Sequence, residues 1–258
     1  MSEDMRRPSI EIVTHCWSGD AVPIYHRLLD YQLTSIKQLN AATRLSDEFD
    51  VVVTVVYTQG DHRTVEVVQR HTTQPAQEGL IIRGINLTLP QLFYRAIGRN
   101  IVAKSSLADV VWFTDCDYIF TPGSLRTAHQ RCLTSDAQMI YPRFVNVHKT
   151  HALGDRLIAG GHFDFDPDDF APREERMAIG GIQIVKGDWC RTKGYLDGSR
   201  WTRIVDVENE TVFVGCRCDK AMRQAVGKIE RVEIPGVFRI RHSRAGRNPE
   251  VDHGEQTR

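Results

Sequence analysis

The apolar positions of this chain fall into blocks of two periods. IEIVTHCW (10–17) is a nearly continuous apolar run of strand length; after the polar SGDAVP, the segment YHRLLDYQLTSIKQLNAATRL sets Leu28, Leu29, Leu33, Ile36 and Leu39 at helical spacing. FDVVVTVVYT (49–58) repeats the buried-strand pattern, QGDHRT reads as a polar turn, and TVEVVQRH fits either a short helix or a strand. LIIRGINLTLP (80–90) predicts a strand and a loop, QLFYRAIGRNIVAKSSL a helix, and ADVVWFTDCDYIF the next strand. Strands alternating with helices predict an α/β fold with a mostly parallel central sheet flanked by helices on both faces.

The second half is less regular. TPGSLRTAHQRCL predicts a helix opened by Pro122, AQMIYPRFVNVH a strand, and GDRLIAGGHFDFDPDDFAPREER a long polar loop, expected to serve as a mobile lid or acceptor-facing segment. MAIGGIQIVKGDWCRTKGYLDG sets a glycine pair before a short strand, ENETVFVGCRCDKAMRQAVG turns helical toward its end, and IERVEIPGVFRIRHS predicts two short strands ending at His242. With no repeat and no linker, one domain is expected over 1–248, followed by a polar, flexible tail at 249–258.

Composition narrows the function classes. A chain of 258 residues, 41% hydrophobic, can bury a sizeable core. Lys plus Arg equals Asp plus Glu at 33 each, so no global field recruits nucleic acid or an anionic membrane, and an anionic ligand must be met locally. The opening MSEDMRRPSIEIV lacks the apolar core of a signal peptide, and no segment approaches the roughly 18 apolar residues of a membrane span, which predicts a soluble, cytoplasmic protein. The six cysteines lack paired CxxC spacing and are expected as reduced, partly buried thiols; Cys216 and Cys218 are the one close pair to check for metal.

The candidate chemistry begins at VVWFTDCDYIF. An ionised carboxylate at the end of a buried strand costs several kcal/mol unless it is paired or metal-bound, so Asp115 and Asp117 need a reason. Where the chain turns, both can reach one divalent cation, and hard Mg²⁺ or Mn²⁺ would keep positions open for phosphate oxygens. Taken alone the pair can also cap a helix or form a turn.

In context, the sequence resembles the nucleotide-sugar-dependent glycosyltransferases of GT-A fold, most closely those of family 2. The resemblance rests on Arg99 and Asn100 ahead of ADVVWFTDCD, on GGIQIVKGDW followed by GYLDG, and on CDKAMRQAVGKIE and FRIRHS in that order. It implies a nucleotide-binding half over 1–120 and an acceptor-binding half over 121–248. It implies Asp115, Asp117 and His242 as ligands of Mn²⁺ or Mg²⁺. It places Thr14, Cys16, Trp17 and Asp61 at the nucleobase and ribose, although a plain turn Asp is an equal reading of Asp61. Arg95, Arg99, Asn100, Asp115, Cys116, Gly180, Gly181 and Arg244 fall toward the rest of the donor, most simply a UDP-sugar. The same resemblance sets Trp189 and Tyr195 where an acceptor or sugar stacks.

Transfer from such a donor needs charge stabilised on the leaving diphosphate and, for inversion, a carboxylate that deprotonates the acceptor hydroxyl. The family's acidic pair survives here only in part: aligning Met222 with the family's leucine puts Asp219 on the base and Cys218 on its acidic neighbour. Glu210 or Glu208 serves instead if a loop shifts the register, and a retaining mechanism follows if none is a base. Asp219 is also well placed simply to cap its helix. Acceptors in range are a glycan, a lipid-linked sugar or, through the basic residues between Arg217 and Arg247, a modified base in DNA. Two other readings compete. A nucleotidyltransferase would need a glycine-rich phosphate loop that HCWSGDAVP does not supply, and a binding module for nucleotide sugar or carbohydrate without catalysis would fit the incomplete acidic pair.

Overall fold

The structure is a computed structural model that describes residues 7–19, 24–43, 50–75, 77–195, 203–207, 210–214 and 218–243. Its strands are β1 (Ser9–His15), β2 (Asp50–Tyr57), β3 (Leu80–Asn86), β4 (Val110–Phe113), β5 (Tyr118–Phe120), β6 (Met139–Pro142), β7 (Phe144–His148), β8 (Phe170–Glu174), β9 (Gln183–Lys186), β10 (Arg203–Val207), β11 (Glu210–Val214), β12 (Ile229–Val232) and β13 (Val237–Arg239). The helices are α1 (Tyr25–Thr43), α2 (His62–Thr73), α3 (Leu89–Phe93), α4 (Arg95–Ser105), α5 (Pro122–Thr134), α6 (His151–Gly160), α7 (Gly187–Lys193) and α8 (Cys218–Val226).

A seven-stranded sheet, ordered β12-β6-β9-β4-β1-β2-β3, carries the core. Strands β3, β2, β1 and β4 run parallel, β9 runs antiparallel between β4 and β6, and β12 lies parallel to β6. Strand β1 is buried along its whole length, which is why its sequence reads as an unbroken apolar run. Helices α1, α2 and α5 cover one face and α4 with α7 the other, so the sheet is enclosed on both sides as the alternation predicts. The one acid inside β1, Glu11, is satisfied laterally: it accepts from Thr54 on β2 and from Arg83 Nη2 on β3 at 2.6 Å.

A second, four-stranded sheet is ordered β5-β13-β7-β8. Three stretches pass directly from the large sheet to the small one: β4 to β5, β6 to β7, and β12 to β13. The single strands expected over 108–120 and 137–148 are therefore each two. The first breaks where Thr114–Asp117 turn, with Tyr118 N donating to Asp115 O at 3.3 Å, and the second breaks at Arg143. Apolar content alone does not report a change of sheet.

The loop expected over 154–176 is also corrected. Thr150 caps α6 by accepting from Leu153 N, Gly161 ends it at φ 70°, a 3₁₀ turn spans Pro167–Asp169, and β8 pairs with β7. Alternation in HFDFDPDDF is what holds the segment down. Phe163 and Phe165 turn inward, Phe165 meets Phe170 and Phe238 at 5.5 and 4.8 Å, and the aspartates between them face water. TVEVVQRH lies within α2, LTLP opens α3 with Thr88 in a capping box, and the hairpin of β10 and β11 occupies a stretch ahead of the expected helix to which no element was assigned.

His148 stacks on Phe170 at 3.9 Å beneath this sheet, and burial pulls its imidazole down to about 4 against the opposing field of Asp169. The folded chain thus keeps it neutral while the unfolded chain protonates near 6.5, so its stability contribution is complete above that value and is lost as the pH falls toward 4. Through this residue, unfolding free energy is expected to drop by about 2 kcal/mol between pH 7 and pH 5. Urea unfolding of His148→Phe should show that much less pH dependence; an unchanged difference between the two pH values would refute the assignment.

Candidate functional site

The carboxyl ends of β1, β2 and β4 meet the entry to β9, because β9 runs backward beside β4 with Phe113 opposite Gln183. The open edge of a parallel sheet is where ligands bind in doubly wound folds. Asp115 and Asp117 sit in the turn between β4 and β5, held from below by α1: the fully buried Gln32 donates from Nε2 to Asp115 O at 2.9 Å and to Tyr118 O at 3.0 Å.

Both acids are paired. Asp115 Oδ1 accepts from Arg95 Nη1 at 2.8 Å and Arg99 Nη2 at 3.4 Å, two arginines one helical turn apart on α4. Burial opposes the charge of Asp115, but Arg95, Arg99 and Arg239 more than offset it and hold its carboxyl below the usual range. Asp117 Oδ2 accepts from Arg239 Nε at 2.8 Å, and Ile240 N donates to Asp117 O at 2.8 Å, so the exit from β13 is fastened to the acidic turn. His242 lies two residues further on. Its Nδ1 donates to the Ser243 carbonyl at 3.0 Å, which leaves Nε2 as the lone-pair nitrogen of the neutral ring.

Asp219, in the first turn of α8, forms the other side. Its Oδ1 accepts from Arg99 Nη1 at 3.0 Å and the Tyr195 hydroxyl at 3.0 Å. Arg99 also donates to the Tyr195 hydroxyl at 2.7 Å and to Gly180 O at 2.9 Å, and its side chain has 0% exposure. Burial opposes that charge too, yet Tyr195, Asp219 and Asp115 more than offset it, so the guanidinium pKa rises and the group stays ionised. One cation therefore spans the first strand-end aspartate and the expected base.

The remaining expected site residues divide. Thr14 is buried with Oγ1 unpartnered, and Cys16 is buried with its Sγ 3.3 Å from Thr64 Oγ1. Cys116 lies against Cys16, and their hydrogen bond, with burial, pushes the Cys116 thiol up. Trp17 packs edge-on against Phe93 at 4.8 Å. Asp61 caps α2, accepting from Thr64 N at 3.1 Å, Thr64 Oγ1 at 2.6 Å and Ser18 N at 2.5 Å, which ties the end of β1 to α2. Asn100 stays out of the cluster: a Cβ on Gly194, past α7, would come within 2.3 Å of its Oδ1. Glu210 lies on β11 with its side chain outside the described residues, as are Glu208 and Arg244.

Two expectations change. The glycine pair makes room for the protein itself, since a Cβ at Gly180 would lie 2.5 Å from Asp219 Oδ2 and one at Gly181 2.4 Å from the Tyr118 ring. Tyr195 offers no stacking platform. Its ring is fully buried, edge-on to Phe113 at 4.7 Å and beneath the Arg99 guanidinium at 5.2 Å, while Trp189 is partly buried against the core. Two residues went unnamed in the sequence reading, Gln32 and His15, and Arg239 counted there only as one of the basic residues between Arg217 and Arg247. His15 is buried with both ring nitrogens unpartnered. Burial first, then Arg99 and Arg95, hold it well below its usual pKa, so it is a neutral ring pressed against Gly98. A lone His in an apolar strand carries no signal that would have singled it out.

Among the described residues no three His, Cys, Asp or Glu side chains are gathered closely enough to hold a metal by themselves, so Asp115, Asp117 and His242 do not form a closed ligand set. The two acids still fit a hard cation. Both arginine bonds to Asp115 fall on Oδ1, and Asp117 Oδ1 is buried with no hydrogen-bond partner, a costly arrangement that a bound ion would relieve. Mg²⁺ is commonly held by one or two carboxylates, with phosphate and water filling the other positions.

The sequence matches no protein-family model and no curated protein. In structure it is similar to the mannosyltransferase PcManGT of Pyrobaculum calidifontis, solved with GDP-mannose and Mn²⁺, at 12% identity over 92% of this chain with a TM-score of 0.51. It is also similar to TarS of S. aureus (residues 1–349), at 11% identity over 90% of this chain with a TM-score of 0.48. The chain spans 58% and 60% of the lengths of those two structures. The fold is the GT-A type that the sequence resemblance implied, a single mixed α/β domain around a mostly parallel sheet.

Proposed function

We propose that this chain is a metal-dependent glycosyltransferase that moves a sugar from a nucleoside diphosphate to an acceptor hydroxyl with inversion. The observation that carries the reading is that Arg99 joins Asp115 to Asp219 at the carboxyl edge of a GT-A sheet, beside an Asp117 whose Oδ1 is buried without a hydrogen-bond partner. The mannosyltransferase of the same fold was solved with a nucleotide sugar and Mn²⁺, which supports a donor and an ion of those classes here.

Asp115 and Asp117 would hold Mn²⁺ or Mg²⁺ by their carboxylates, with phosphate and water filling the other positions. When bound, the ion neutralises charge developing on the leaving diphosphate. The chain's own residues do the rest. Arg95, about one-third exposed, is positioned to share its charge between Asp115 and the diphosphate. Asp219, 24% exposed in the first turn of α8, takes the proton of the acceptor hydroxyl as the new bond to the sugar carbon forms. A UDP-sugar is the first donor to test, with GDP-mannose beside it; a glycan or lipid-linked sugar is the acceptor class.

The test is thermal unfolding with Mn²⁺ and UDP or GDP, alongside a panel of nucleotide sugars scored for hydrolysis and transfer. Saturation at about 100 times Kd should stabilise the wild type by about 2.7 kcal/mol. Asp117→Ala should lose the metal-dependent part of that gain. Stabilisation without turnover on any donor would favour a binding module. If neither nucleotide stabilises the protein with or without metal, the reading fails.

A further inference from the structure

Asp219 is bonded unevenly. Among the described residues, all three donors to its carboxylate fall on Oδ1: Arg99 Nη1 at 3.0 Å, the Tyr195 hydroxyl at 3.0 Å, and the Cys218 thiol at 3.7 Å. Oδ2 receives no donor from them and lies over Gly180, where a Cβ would crowd it at 2.5 Å. A proton arriving at this carboxylate thus finds one oxygen engaged and one open.

The Tyr195 hydroxyl is the adjustable member of this set. It accepts from Arg99 at 2.7 Å and holds one proton for two acceptors, Asp219 Oδ1 at 3.0 Å and Gln183 Oε1 at 2.8 Å. The Gln183 amide cannot turn away, because its Nε2 donates to Ala178 O at 3.0 Å and Asp219 O at 3.3 Å. We propose that Arg99, Tyr195 and Gln183 are positioning residues that aim Asp219 Oδ2 at the acceptor and let the tyrosine proton follow the charge of the base. The inference rests on reading Asp219 as that base.

The atoms balance in each direction. With Asp219 ionised, the Tyr195 O–H points to Oδ1. When Oδ2 takes the acceptor's proton, Oδ1 becomes the weaker acceptor and the tyrosine proton turns to Gln183 Oε1, with no proton leaving the tyrosine. All three side chains are fully buried, so each acts through Asp219. Among the described residues, the charged and titratable groups around Asp219 are Arg99 and Arg95 from α4, Asp115 across Arg99, Tyr195 beyond α7, and Cys218 and Lys220 on its own helix.

The experiment is infrared difference titration of the full chain without donor, using Asp219→Asn to identify the Asp219 carboxyl band. A donor to the charged form lowers a carboxyl pKa, so removing it raises the midpoint and removing its competitor lowers it. Tyr195→Phe should move the Asp219 midpoint up by roughly half a unit to one unit. Gln183→Met, which frees the tyrosine proton for Asp219 alone, should move it down. Opposite signs support the arrangement, and loosened packing would not produce them. Shifts of the same sign, or a midpoint that Tyr195→Phe leaves in place, overturn it. Because no turnover is needed, the result stands apart from the donor test: opposite shifts in a protein that transfers no sugar would keep the arrangement and discard the glycosyltransferase reading. Where transfer is found, the acid limb of its pH profile should move with the infrared midpoint in both variants.

Discussion

Asp219→Asn is expected to lower kcat for sugar transfer by about 10²–10⁴-fold while the donor KM changes little. Asparagine keeps the shape of the side chain, and its carbonyl oxygen can still accept from Arg99 and Tyr195 in the place of Oδ1. Its amide nitrogen then stands where Oδ2 stood and cannot take a proton. The substitution therefore removes the proposed chemical step and preserves the architecture around it. Initial rates at saturating donor and acceptor, with nucleotide affinity measured separately by calorimetry, check the split. A variant that retains transfer within about tenfold of the wild type would move the base elsewhere, with Glu210 on β11 next in line.

The second large effect falls on stability. Arg99→Met should cost about 3–5 kcal/mol, because it leaves two carboxylates, a phenol and a backbone carbonyl without the cation they share. Domains are typically stable by only about 5–15 kcal/mol, so the loss would be a large part of the whole. Arg95→Met provides the contrast. Arg95 meets the same Asp115 oxygen, but both side chains of that pair are about one-third exposed, and solvent screening limits the expected loss to about 1 kcal/mol. Urea unfolding of the two variants at one pH decides the matter; equal losses would show that the buried guanidinium is no more than another surface partner of Asp115.

The sequence showed the parts built from local pattern. The parallel strands, the α1 and α4 helices and the acidic turn after β4 follow from apolar periodicity and from two acids where a buried strand should stop. The segments that hand the chain from one sheet to the other were not legible, since Phe113 and Tyr118 look alike as apolar residues although they pair with different strands. The same limit applies to the site. Arg99 and Asp219 could be nominated singly, but their 3.0 Å contact joins positions far apart in the chain. Arg239 reads in sequence as one basic residue among many, and only the antiparallel pairing of β13 with β5 places it on Asp117. Tyr195 misled for a related reason: an aromatic next to a glycine turn has the same letter whether its ring faces a ligand or the core.

Strand β9 runs against its neighbours, so the chain reaches the acidic edge by starting a strand there, with no loop needed to carry it across the sheet. Side chains then alternate from the first residue: Gln183 faces the base, and Ile184 faces the opposite layer. A single residue inserted between Gly181 and Gln183 could keep every strand paired yet offer Tyr195 a hydrocarbon instead of an amide, so that reading frame, more than composition, is what this corner of the protein has to preserve.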